Sequence, residues 1–336
     1  MNSNAFGIDL GTNHIKIYSR ATDSVYVQKN MIAIKEPGEL FAYGDSAFDM
    51  YEKTPYNIRI SYPLSYGVIS DLGNMETVIR YMIADLQGGN LKSADFLIAV
   101  PCDVTDVEKR AFYDLLKEAG VKAHKILAVD KAVADGIGMG IDVTTSQGTF
   151  VVNVGFETTE ISILSLGGIV LSRMIKVGGQ KFDEAIRNAV RSEYGLLIGG
   201  KTSESVKNSL FDLELDGRGA VVFGRDIVTG LPVEREIPTK LIVESMGVHF
   251  RNIIDNIKLI LEKAPPELSA DIYRNGIYLT GGASQVSHLV EDIANGTGLK
   301  VNISNDPITT TVEGLSRIMR ESTFSRIPYP VEGMSK

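Results

Sequence analysis

The apolar positions of this chain fall into short runs whose period switches between two and about 3.6, and the switches mark its elements. Phe6-Gly-Ile-Asp-Leu runs into Gly11, Thr12 and Asn13, and a second run, Ile15-Lys-Ile-Tyr18, follows. Two extended runs around a glycine turn predict a β-hairpin. Residues 25–34 read as extended, 74–87 as helix and 95–100 as a buried strand. Thr105 and Glu108 have capping-box spacing. The helix they open carries an inward stripe of Val107, Ala111, Phe112, Leu115, Leu116 and Ala119. Residues 131–139 predict a short helix of small side chains, 149–154 a strand, and 160–166 with 169–175 a hairpin around Gly167 and Gly168. Helices are expected over 182–194, closed by Gly195, over 203–211, and over 240–263, stopped by Pro265 and Pro266. Residues 213–238 read as a β-rich insertion, and 276–279 as a strand entering Thr280-Gly-Gly-Ala-Ser284. The stretch 322–336 holds Pro328 and Pro330 and is expected to be loose.

The opening device occurs twice. Phe150-Val-Val-Asn-Val-Gly-Phe-Glu-Thr-Thr159 is again an apolar strand, a polar residue, a glycine turn and a second strand. The pair suggests an internal duplication gripping a polyphosphate from two sides; the plainer alternative is two unrelated hairpins in a mixed α/β protein. In the first hairpin, Gly11 lets the backbone approach an anion, Thr12 and Asn13 add donors, and Asp9 could hold Mg²⁺ through its waters. Taken alone, an Asp-x-Gly-Thr turn is often only a hairpin.

Composition narrows the partners. With 336 residues, 44% of them hydrophobic, the chain can build two cores. A net charge of −8 argues against nucleic acid, whose phosphates demand basic patches. The single cysteine, Cys102, fits a reducing cytoplasm and reads as a buried structural thiol. No apolar run reaches the ~18 residues of a spanning helix. The first strand begins too near the N-terminus for a signal peptide. The expected location is cytoplasmic, with membrane association left open.

Five stretches together resemble the actin-like ATPase superfamily, and within it the bacterial MreB family. They are the turn Asp9–Asn13; Thr54-Pro-Tyr-Asn-Ile with Pro63-Leu and Gly67-Val-Ile-Ser-Asp71; 100–110; 177–186; and 265–271 with Leu279-Thr-Gly-Gly282. His14 and the run 44–50 are also similar to the magnetosome actin-like protein MamK. The resemblance implies an α/β, actin-like fold, with two RNase-H-like domains flanking a nucleotide cleft and a smaller outer subdomain on each. Residues 1–140 would form the first domain, with an outer lobe over about 31–72 and a helix at 307–321 returning to it. Residues 141–306 would form the second, with an outer lobe over about 182–240. It also implies ATP or ADP with Mg²⁺, and head-to-tail filaments. The phosphates would meet Asp9, also the Mg²⁺ ligand, with Gly11, Thr12, Asn13 and His14 from one hairpin and Gly155, Phe156 and Glu157 from the other. The adenosine would meet Glu204, Lys207, Gly281, Gly282 and Ala283.

Several positions depart from the family pattern. Its second phosphate loop reads Asp-x-Gly-Gly-Gly-Thr-Thr-Glu, whereas this chain has Asn153-Val-Gly-Phe-Glu-Thr-Thr-Glu160. Asn153 cannot supply a second carboxylate, Phe156 is bulky where glycine admits phosphate, and Glu157 adds like charge. The family glutamate that orients the attacking water corresponds to Lys131, which only donates hydrogen bonds. Asp130 is the possible substitute. A Lys131–Glu157 pair across the cleft is expected to compensate the two substitutions. Nucleotide binding is therefore expected to be weak, atypical or absent, making a pseudo-ATPase filament the leading reading. Competing readings are a working ATPase using Asp130 or Glu157, and a monomeric, chaperone-like partner. The loop at 88–93 offers Leu91, followed by Lys92, for a weak peripheral membrane contact.

Overall fold

A computed structural model describes residues 3–89 and 91–331. Two sheets of one strand order make its frame. The first runs Ser24–Lys29, His14–Ser19, Ala5–Leu10, Ala94–Val100, Ala123–Asp130, with the short strand Tyr329–Pro330 added at its edge. The second runs Gly168–Ile175, Thr159–Ser165, Thr149–Val154, Ile277–Thr280, Val301–Ile303. In each, three antiparallel strands are followed by two parallel ones. The repeated order shows the internal duplication, and both Gly11 and Gly155 donate their N–H to the carbonyl three residues on, at 3.1 and 2.8 Å.

Residues 94–100 read as an unbroken apolar run because both faces of this strand are covered. Phe96, Ile98 and Val100 join Phe6 and Ile8 in a core closed by the helices Leu72–Leu86 and Asp106–Glu118. Leu97 and Ala99 face the other way, into a core shared with Val151 and Leu164 of the second sheet. Two helices, Lys131–Gly138 and Thr310–Arg320, fill the space between the sheets. They cross at glycines: a Cβ on Gly314 would lie 1.9 Å from the Ala134 carbonyl oxygen, and one on Gly138 would lie 2.0 Å from that of Thr310. Each half carries an outlying three-stranded sheet, Ile32–Lys35 with Glu39–Tyr43 and Ile58–Ser61 in the first, and Leu196–Leu197 with Ala220–Asp226 and Pro232–Ile237 in the second.

Some local expectations need correction. The Thr105 capping box forms, but Val107 is 80% exposed, since it sits in the first turn beyond the edge of the core. The second-half hairpin turns on Leu166 and Gly167, both with positive φ, so Gly168 opens the next strand. The 203–211 helix is two, Gly200–Asn208 and Leu210–Leu215, broken at Ser209. The C-terminal stretch is anchored through residue 331: Phe324 and Val331 are buried, and Tyr329–Pro330 pairs with Ala123–Asp130. Residues 332–336 of that expected loose tail lie outside the described residues. Leu91 is half-buried and packs against the first core. Asn90 beside it lies outside the described residues. No helix among the described residues is long and apolar enough to cross a membrane.

Candidate functional site

The two glycine turns face each other across a cleft of about 360 Å³, within the range of small-ligand sites. Gly11, Thr12, Asn13 and His14 line it from the first hairpin; Gly155, Phe156 and Thr158 line it from the second. Gly281, Gly282 and Ala283 close the far side. Gly281 has φ +89°, and a Cβ there would meet the Val154 carbonyl oxygen at 2.3 Å, so the third loop needs a glycine to dock on the second hairpin.

Hairpin register decides which side chains confront each other. Asp9 is the cross-strand partner of Lys16, and Asn153 is the cross-strand partner of Glu160. Lys16 Nζ lies 2.9 Å from Asp9 Oδ2, and a Cβ on Gly11 would sit 3.1 Å from that ammonium. Lys16 therefore rests against the first turn. Lys131, the first residue of its helix, lies 3.1 Å from Glu160 Oε1. Glu160 Oε2 accepts from the Cys102 N–H at 2.8 Å. Burial works against the charge on Lys131, but Glu160, Asp9 and Asp135 outweigh it and push its pKa up. Burial likewise opposes ionisation of Asp9, yet Lys16 and Lys131 hold its pKa below the usual range. Asp135 accepts from Asn153 Nδ2 at 2.8 Å and from Thr311 Oγ1 at 2.6 Å. Its burial dominates those contacts and raises its pKa to about 6.

Several expected site residues take other roles. Lys131 does not meet Glu157: that carboxylate accepts from the Tyr66 N–H at 2.5 Å, in the short hairpin of Leu64–Ser65 and Val68–Ile69, and it is not among the residues lining the cleft. Glu157 thus ties the second hairpin to the first half through Tyr66. Asp130 also lies off the cleft, its Oδ1 accepting from the Tyr329 hydroxyl at 2.9 Å. The C-terminal strand Tyr329–Pro330 thus engages this carboxylate. The Phe156 ring lies 6.1 Å from the Tyr62 ring, forming a wall between lobes. His14 lines the cleft, but burial, then Lys29 and Lys16, lower its pKa to about 3, so it is neutral near pH 7. Glu204 and Lys207 line the opposite end as expected, each already paired: Glu204 with Lys29 at 3.3 Å, Lys207 with Asp183 at 2.8 Å. Sequence reading overlooked Lys16, although the hairpin register, once counted back from Gly11, puts it opposite Asp9. It also overlooked Asp135, whose helix position carries no local signal.

The family model described as "MreB/Mbl protein" matches residues 3–326. The chain belongs to the MreB/Mbl family. It is 33% identical over 323 residues to the cell shape-determining protein MreB of Escherichia coli (strain K12), covering 94% of this chain and 92% of that one. It is 34% identical over 312 residues to the cell shape-determining protein Mbl of Bacillus subtilis (strain 168), covering 92% and 93%. MreB5 of Spiroplasma citri bound to AMPPNP superposes with a TM-score of 0.87 at 33% identity, over 93% of this chain and 95% of that one. A MamK double helical filament matches with a TM-score of 0.77 at 22% identity, over 94% and 98%, a likeness of fold. The actin-like fold expected from the motifs is therefore the fold of this MreB/Mbl chain.

The MreB/Mbl resemblance implies Mg²⁺ beside Asp9, and the residues present do not fit that ion. Lys16 occupies the cation position against Asp9 at 2.9 Å. Even for an ion held through water, about 6 Å from the ammonium, the repulsion is about 5–6 kcal/mol at an effective dielectric constant of about 20, before relaxation. Asn153 is neutral and its amide donates to Asp135. Glu160 is held at both oxygens by Lys131 and Cys102.

Proposed function

We propose that this protein is a cytoskeletal filament subunit of the cytoplasm that holds an adenine nucleotide between its halves and hydrolyses it slowly or not at all. The observation carrying this reading is the Lys131–Glu160 pair on the cleft floor. Lys131 stands where the resemblance places a water-orienting glutamate, and an ammonium has no lone pair to accept a proton. The relatives' names support a role in cell shape; the AMPPNP bound to MreB5 and the MamK filament support nucleotide binding and self-assembly.

The test combines sedimentation with phosphate release in excess MgATP, with Escherichia coli MreB assayed alongside. Pelleting polymers are expected, with phosphate release at least ~100-fold slower than the comparison protein, the order of effect of a missing general base. A comparable rate would restore the ATPase reading. A chain that stays monomeric at every concentration would favour the chaperone-like alternative.

A further inference from the structure

We propose that the cleft binds its nucleotide without a divalent cation, the Lys16 and Lys131 ammonium groups standing against the phosphates where the family pattern implies a metal. This rests on the nucleotide reading above and specifies the chemistry of the same site. Lys16 lies against the Gly11 turn, and Lys131, which follows the strand Ala123–Asp130 of the same half, reaches Glu160 of the second hairpin, so both ammonium groups line the cleft between the two turns. Each ammonium uses one donor on a carboxylate and keeps others for phosphate oxygens. The second hairpin contributes a neutral amide, Asn153, where a metal site would want a carboxylate. Relative to the family pattern, Asn153 and Lys131 each make the cleft less negative, which favours a polyphosphate and disfavours an additional cation, and Lys16 offsets the charge of Asp9.

The experiment is calorimetric titration of the full chain with ATP, in excess Mg²⁺ and in EDTA. Affinities agreeing within about threefold are expected. Binding in Mg²⁺ that weakens by more than about threefold in EDTA overturns this inference and leaves the nucleotide reading standing. No binding in either condition overturns both. Two substitutions sharpen the sign. Asp9→Asn removes a carboxylate from the phosphates and frees Lys16, so ATP should bind several-fold tighter; at a metal site the same change weakens binding. Lys16→Met should lose about tenfold or more in EDTA and regain part of it when Mg²⁺ is added, because Asp9 is then open to the ion. Weaker binding by Asp9→Asn, or an unchanged affinity for Lys16→Met in EDTA, overturns the proposal. Asp9→Asn keeps the side-chain shape, so a folding failure of Lys16→Met still leaves a decisive variant.

Discussion

At the scale of single residues, the cleft floor is a set of buried charges that tolerates little rearrangement. Lys131→Glu does not simply restore the family residue. The new carboxylate would stand beside Glu160 and near Asp9, with one cation fewer. Buried like charges repel and anions are disfavoured. ATP affinity should fall by more than about tenfold, with no gain in phosphate release; a rise in hydrolysis would contradict this charge balance. Asp135 gives a second test. Its pKa is raised from 3.8 to about 6, so the folded state binds the proton more tightly than the unfolded one. Stability from this group is therefore full below pH ~4 and is lost as pH rises through ~6, a change of about 3 kcal/mol. Asp135→Asn does not titrate. Its stability relative to the parent should rise by that order between pH ~4 and ~7 in urea unfolding, and a flat difference would refute the assignment.

At the scale of elements, the crossing of the Lys131–Gly138 and Thr310–Arg320 helices joins the two halves. The crossing depends on the absence of side chains at Gly138 and Gly314, where backbone lies closer than any Cβ allows. Gly314→Ala must push the helices apart, and overpacking of this kind costs at least about 1–3 kcal/mol. A clearly lowered melting temperature is expected, together with weaker ATP binding, because Lys131 is on the displaced helix. An unchanged melt would mean the crossing relaxes freely. The glycines and the small residues of 131–139 were legible as a short helix from the sequence. Their purpose was not, because the partner helix lies far along the chain.

Across the whole molecule, contacts between lobes bridge the cleft. Glu52 accepts from the Gly200 N–H at 3.2 and 3.1 Å, Lys29 pairs with Glu204 at 3.3 Å, and Glu157 meets Tyr66. Glu52→Ala removes an acceptor at the start of the Gly200–Asn208 helix, on a contact that spans both halves. Faster release of bound nucleotide is expected in stopped-flow displacement, along with faster amide exchange at 199–203. Unaltered release would mean that this bridge does not gate the cleft.

The strand runs, the paired glycine hairpins, the capping box and the family motifs were all readable without coordinates. Each depends on residues close together in sequence, where alternation and turn chemistry decide the outcome. The duplication was readable for the same reason. Which charges meet was not. Glu157 and Glu160 are three positions apart, yet one sits in a turn facing Tyr66 and the other on a strand facing Lys131. Asp130 and Lys131 are neighbours, yet the C-terminal strand takes the first and the cleft takes the second. A side chain's partner depends on the face it leaves by and on what other elements bring to that face, and only the packed tertiary structure supplies the second.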